Sequence, residues 1–219
     1  MSIEKMRGVV IREVPVGESD KIITLLSKEG GKVSLSARGA RNAKSKFLSS
    51  CELFAYSDFT VYTGRKHPAV STASLIDNFY GLRKEIKAFA AASYLADFLN
   101  RVVFEGVECD EILRLFLTAL KVLEKGAEPL FTATVFELKY FYLNGMMPDF
   151  GGIIHFGGDE LLKGTVKALL YIGSADVKKV FSFNVSEEVS EQIKRIRYLL
   201  FNEQIDIRFN SYDFLLSFY

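Results

Sequence analysis

Hydrophobic positions recur with two different periods along this chain, and the change falls near residue 80. Before it, short apolar runs alternate with turn residues. Met6–Val14 is β-branched and partly alternating, and Pro15, Gly17, Ser19 and Asp20 then mark a turn. Lys21–Ser27 is a second apolar run. Glu29-Gly30-Gly31-Lys32 is a tight-hairpin signal, because glycine takes positive φ at no steric cost. In Lys32–Arg38, Val33, Leu35 and Ala37 alternate with Ser34, Ser36 and Arg38, which predicts a strand with one buried face. Residues 39–50 are small, polar and basic and read as a loop. Glu52–Thr63, rich in Phe and Tyr, is long enough for one bent strand. Gly64–Pro68 is a turn, and Ala69–Asp77 makes a fifth strand. Five short strands without a long helix suit a small closed barrel. The OB-fold is the commonest of that size, and an SH3-like barrel is the competitor.

After residue 80 the spacing becomes three and four. Leu82, Ile86, Phe89, Leu95, Phe98, Leu99 and Val102 predict one helix. A second runs from Asp110 to Lys125 and stops at Gly126, and a third runs from Pro129 to Asn144-Gly145. Residues 146–163 break the pattern with two Gly-Gly pairs. Gly164–Ser174 and Asp176–Phe181 read as two short helical pieces. Ser186 caps a longer helix whose first turn holds Glu187 and Glu188, and Ser211–Phe218 is a final short one. The expected class is therefore α+β. A five-stranded OB-fold barrel occupies residues 1–80, and an all-helical domain occupies residues 81–219. A barrel this small buries only about 60% of its unfolded surface, so it is expected to pack on the helices.

Composition narrows the class. Among 219 residues, 49% are hydrophobic and 25% charged, which excludes a disordered chain. No run of 18 residues lacks a charge, so no membrane-spanning helix is expected, and the first residues have no apolar core of a secretory signal. Cys51 and Cys109 are too few for a disulfide framework or an all-cysteine zinc site, which suits a reduced cytosolic protein. Net charge is only +1, yet residues 1–80 carry +4 and residues 81–219 carry −3. Residues 28–46 hold Lys28, Lys32, Arg38, Arg41, Lys44 and Lys46 against one acid, Glu29.

That segment is the leading chemical signal. Small residues between the cations let a phosphate backbone come close, and Phe47, Phe54, Tyr56, Phe59 and Tyr62 lie beside it. Charges that track phosphates and rings that stack bases are what single-stranded nucleic acid needs. The competing reading makes the rings barrel core and the charges a solvated sheet edge. Enzymatic readings find little: His67 and His155 stand far apart beside turns. No nucleophile elbow, P-loop or G-x-G-x-x-G occurs. A metal site would have to combine His155 with Asp149 or Asp159, a spacing that diagnoses nothing. The C-terminal aromatics (Phe136, Tyr140, Phe141, Phe181, Phe183, Phe201, Phe209, Phe214 and Phe218) read mainly as core. A groove among them for a short apolar peptide would use Lys178, Lys179, Arg195 or Arg197 to pair with the peptide's carboxylates.

Several runs resemble the RecO family: Gly8–Leu26 with its Pro15-Val-Gly17-Glu-Ser-Asp-Lys21 turn, Glu29–Arg41 followed by Lys44-Ser45-Lys46, and Ser74–Phe79. Phe136-Glu137-Leu138-Lys139, Gly145-Met-Met-Pro148-Asp149 and Arg208–Leu215 follow in order. The resemblance implies a bacterial, cytoplasmic, nucleoid-associated recombination mediator with no enzymatic turnover. It implies binding and annealing of single- and double-stranded DNA. It also implies action with RecR, and often RecF, to place RecA on DNA coated by single-strand binding protein (SSB), whose acidic tail is contacted. Carried onto this chain, the DNA contacts fall on Lys32, Arg38, Arg41, Lys44 and Lys46, with Arg65 and Lys66 as additions. The candidate partner contacts remain Lys178, Lys179 and Arg195 of the peptide groove read from the residues above. Many family members carry two C-x-x-C pairs that hold zinc just after the Gly-x-x-Pro stretch. Here Asp149–Asp159 has no cysteine, so no zinc or other cofactor is expected, and residues 145–163 are expected to form a compact hairpin-like connection in its place. The rival expectation is a scaffold that recruits RecR and SSB with little DNA contact of its own.

Overall fold

The computed structural model describes residues 2–64 and 68–219. Five strands, β1 (Ile3–Val16), β2 (Asp20–Ser27), β3 (Gly31–Ala37), β4 (Tyr56–Tyr62) and β5 (Ala69–Asp77), close a barrel in the order β1-β2-β3-β5-β4. Long β1 makes closure possible. It pairs antiparallel with β4 from Ile3 opposite Tyr62 to Val9 opposite Tyr56, then with β2 from Gly8 opposite Ser27 to Val16 opposite Asp20. A bulge between Val10 and Arg12 re-aims the strand. The one parallel contact, Ser36 beside Ala69, seals β3 to β5. This is the OB-fold arrangement.

The continuous apolar run of β1 reflects burial on both sides. Val10 joins Ile23, Leu25, Leu35, Phe59 and Val61 inside the barrel, while Val9, Ile11 and Leu26 face the helical half. That half contains α1 (Ile86–Val102), α2 (Asp110–Glu124), α3 (Pro129–Leu143), α4 (Lys163–Ser174), α5 (Glu187–Gln204) and α6 (Asn210–Leu216). Helix α3 is buried on nearly every side, as a helix without a polar face must be. Its two buried charges are both satisfied. Glu137 pairs with Arg197 of α5 and accepts from the Tyr94 hydroxyl of α1. The Lys139 ammonium donates to the carbonyls of Gly173 (2.7 Å) and Ala175 (2.8 Å) at the end of α4. Tyr94, Phe98, Phe136, Tyr140, Phe201 and Phe209 pack around them, mostly edge to face.

Two expectations are corrected, and a third holds. The predicted strand Glu52–Thr63 begins only at Tyr56, because the chain bends through Phe54 (φ 71°), whose ring turns inward onto Phe89 at 5.6 Å. Asp176–Phe181 is a turn and not a helical piece: the Asp176 carboxylate takes the Lys178 N–H and its carbonyl takes those of Lys179 and Val180. So short a segment cannot nucleate a helix without packing on both sides. Residues 146–163 do form a hairpin. Short β6 (His155–Phe156) pairs with β7 (Asp159–Glu160) across Gly157-Gly158, both at positive φ as a two-residue I′ turn requires.

Barrel and helices are locked at the β2–β3 hairpin. The segment after α1 runs beside it and is joined to it by backbone hydrogen bonds and one isolated bridge. Lys32 N–H donates to the Phe104 carbonyl (3.2 Å), Gly106 N–H to Gly30 (2.9 Å) and Cys109 N–H to Lys28 (2.9 Å), with Gly31 bridged to Glu105. Burial pushes the Cys109 thiol up to about 11, so it stays protonated and donates to the Ser27 carbonyl at 3.0 Å. Gly31 sits at φ 59°, and a Cβ there would lie 2.4 Å from the Phe104 oxygen and 2.6 Å from that of Val107. Gly31→Ala is therefore expected to lower the unfolding free energy by roughly 2–4 kcal/mol. Urea denaturation checks this, and a change below about 0.5 kcal/mol would show that the seam is not tight.

Candidate nucleic-acid interface

The basic segment 28–46 does not stay together in space. The hairpin puts Lys28 and Lys32 at one end of β3 and Arg38 at the other, about 20 Å apart at 3.3 Å per residue. Half-buried Lys32 is drawn into the seam, where its ammonium donates to the Asn100 carbonyl at 2.7 Å. Asn100 lies in the last turn of α1, and a cation there meets both a carbonyl without a helical partner and the negative end of the helix dipole. Lys28 lies near Asp110 at the start of α2 and helps hold that carboxyl below its usual range, an effect dominated by its hydrogen bond to Arg114.

Arg38, Arg41, Lys44 and Lys46 occupy the opposite end, and all four are exposed. Their segment is fastened to the turn between β1 and β2. The Asp20 carboxylate accepts the Gly39 N–H at 2.7 Å, the Ser19 carbonyl accepts the Arg41 N–H at 2.9 Å, and the Gly17 carbonyl accepts from the Arg41 guanidinium at 2.8 Å. Two residues before Arg38, the Ser36 N–H donates to the Pro68 carbonyl at 2.8 Å, which brings the β4–β5 connection alongside. The β1–β2 and β4–β5 loops thus meet at residues 36–41, and these are the loops that frame oligonucleotide sites on OB-folds. Arg65 and Lys66, expected within the second loop, lie outside the described residues, as does His67. Among the described residues, Arg38, Arg41, Lys44 and Lys46 make no ion pair, whereas Arg7, Lys21 and Arg83 are paired with Asp58, Glu13 and Glu52.

The aromatic neighbours divide as their burial dictates. Phe54 and Phe59 are core, and Phe47 and Tyr56 are half-buried, Phe47 beneath the Lys46 ammonium at 5.2 Å. Tyr62, 42% exposed, stands at the end of β4 where the β4–β5 connection starts, and has a face available for stacking. Sequence reasoning missed Asp20 as the organiser of the cationic loop. Its signal was its place in a Ser-Asp turn, where such side chains bond backbone N–H groups.

The C-terminal cations are dispersed. Arg197 is buried against Glu137 and stacks on Phe201 and Tyr212, which withdraws it from any surface role. Arg195 pairs with Asp159 of the hairpin at 2.9 Å, and Lys178 and Lys179 are exposed in the Asp176 turn. No three His, Cys, Asp or Glu side chains converge on a metal position among the described residues. Asp149 accepts its own Gly151 N–H, Asp159 is held by Arg195 and His155 is exposed, so these residues do not fit a zinc site. Among the described residues, no helix is long and apolar enough to cross a membrane.

Two models of one family match this chain in order: Recombination protein O N terminal over residues 1–79, and Recombination protein O C terminal over residues 83–151. The chain belongs to the RecO family. It is 29% identical to the DNA repair protein RecO of Acetivibrio thermocellus, over 98% of this chain and 97% of that one. It is 26% identical to the protein of that name from Thermoanaerobacter sp. strain X514, over 98% of each. A third, from Rubrobacter xylanophilus, is 32% identical over 73% of this chain and 64% of its own. The RecO N-terminal match coincides with the barrel, and the C-terminal match ends at Gly151, at the approach to the β6–β7 hairpin.

Because Lys32 serves the seam and Lys44 does not, the two are expected to part on substitution. Lys32→Met should lower stability by about 1.5 kcal/mol, the scale of a hydrogen bond from a charged group. Lys44→Met should stay within about 0.5 kcal/mol. Thermal unfolding of both variants checks this, and equal losses would contradict the division of the segment.

Proposed function

We propose that this RecO-family chain is a DNA repair and recombination mediator that binds DNA through the outer, cationic end of its barrel. The observation that carries the reading is the convergence of Arg38, Arg41, Lys44 and Lys46 on the end framed by the β1–β2 and β4–β5 loops, none of them in an ion pair among the described residues. Fixed loops present charges with little ordering cost. Phosphate contacts carry no base information, so the protein binds single and double strands alike. Two strands repel through their phosphates, and a protein that neutralises both brings them close enough to anneal. In this reading the chain works with RecR, and with RecF, to place RecA on SSB-coated DNA, in the cytoplasm of a bacterium and without turnover of its own. We also propose that it needs no zinc. The β6–β7 hairpin, held to α5 by Arg195–Asp159 and by Gln192, which accepts the Leu162 N–H and donates to the Glu160 carbonyl, stands where other members fold around the metal.

A second reading, a scaffold recruiting RecR and SSB with slight DNA contact, draws on the capture of Lys32 and Arg41 by backbone carbonyls. A gel shift on bare single-stranded DNA separates the two, since a scaffold gives no complex. If four phosphates are contacted, log K should fall with log salt at a slope of about −3.6 on duplex and about −2.8 on single strands. The triple reversal Arg38→Glu, Arg41→Glu, Lys44→Glu should weaken binding to every DNA sequence by a similar factor, at least tenfold at moderate salt. Binding equal to the parent would place the interface elsewhere.

A further inference from the structure

A groove of about 590 Å³, lined wholly by the helical half, opens between the start of α3, the segment 181–185 and the first turns of α5. Its floor is aromatic. Phe131 meets Phe183 edge to face at 5.8 Å, Phe183 meets Tyr171 at 5.3 Å, and Phe181 lies alongside. Phe131, Phe181 and Phe183 are only partly covered, unlike the sealed cluster around Phe98. Its lining carries Glu128, Glu187 and Glu191 against Lys194, with Lys87 at the edge beside Tyr219, so acids outnumber cations. Lys194 is already tied to Glu191 at 2.7 Å. Glu128 caps α3, accepting from the N–H groups of Leu130 (3.1 Å) and Phe131 (2.5 Å), and Glu187 has no ion-pair partner among the described residues.

This charge is opposite in sign to what an acidic peptide needs, and Lys178, Lys179 and Arg195 do not line the groove. The protein's own contacts indicate what does suit it. Lys87 places its ammonium 4.7 Å from the centre of the Tyr219 ring, whose hydroxyl donates to Glu128. An ammonium over an aromatic face beside a carboxylate is thus already made at this rim.

We propose that the groove docks a segment of a partner protein in which a bulky apolar side chain is flanked by lysine or arginine. The apolar residue fills the space over Phe131 and Phe183, and a flanking cation reaches Glu187 or Glu191. The partner differs in kind from the DNA of the barrel end, and the two sites stand or fall separately.

The test uses two fluorescein-labelled ten-residue probes, one alternating Lys with Phe and one alternating Glu with Phe, titrated into the full chain by anisotropy at low salt. The Lys/Phe probe should bind at least tenfold tighter than the Glu/Phe probe. The double variant Glu187→Lys, Glu191→Lys should abolish that preference while leaving DNA affinity within twofold of the parent. Both changes are at exposed positions, so folding is checked by the thermal transition alone. Phe183→Leu keeps an apolar floor but removes the ring, and should weaken the Lys/Phe probe about threefold. No Lys/Phe binding up to 1 mM, a Glu/Phe probe that binds as well, or a charge-reversed protein that keeps the preference would each overturn the proposal.

Discussion

The seam between the β2–β3 hairpin and the Phe104–Cys109 segment is the constraint from which the rest of the molecule follows. A five-stranded barrel of this size buries only about 60% of its unfolded surface and is marginal alone. Here the missing burial comes from Val9, Ile11 and Leu26, which leave the barrel wall and enter the core of the helical half. The backbone bonds of Gly30, Lys32 and Lys28 to that half fix the orientation of the two parts. Only glycine at position 31 lets the chains approach so closely. With the hairpin end closed, the end of β2 and β3 that holds Gly39–Lys46 is the one left open, and its cations are available to a polyanion.

The helical half is organised by a second constraint, two buried charges on one helix. Glu137 and Lys139 lie two residues apart on α3 and point to different neighbours, one to α1 and α5, the other to the end of α4. An apolar helix can slide or rotate against its neighbours with little change in burial, whereas a carboxylate that must meet a guanidinium cannot. Such a pair adds little net stability over an apolar one, but removing one partner leaves a buried charge alone. Both polar residues of the Phe136-Glu137-Leu138-Lys139 run are therefore interior.

Much of this was legible beforehand. Alternation in Lys32–Arg38 and the glycine pair before it gave the hairpin, and the three-and-four spacing from Ile86 onward gave α1, α2 and α3 close to their ends. Those signals are local, and local signals survive in a linear reading. What escaped was non-local. Phe54 bends the chain because Phe89, far along the sequence, offers its ring a place. Lys32 looked like part of a basic patch until α1 supplied the Asn100 carbonyl that takes it. Arg197 read as one of the cations for a peptide's carboxylates until Glu137 received it. The acidic rim above Phe131 and Phe183 joins Glu128 at the start of α3 to Glu187 and Glu191 on α5, and neither segment alone shows it.

The central claim is that nucleic acid meets the open end of the barrel and not the seam. Amide hydrogen exchange of the full chain, with and without a short single-stranded oligonucleotide, reads this residue by residue. Added protection is expected at Gly39, Arg41 and Ser45 and in the β1–β2 turn, with Gly30, Lys32, Gly106 and Cys109 unchanged. Protection concentrated at the seam or on the helices, with residues 38–46 exchanging as before, would contradict that claim.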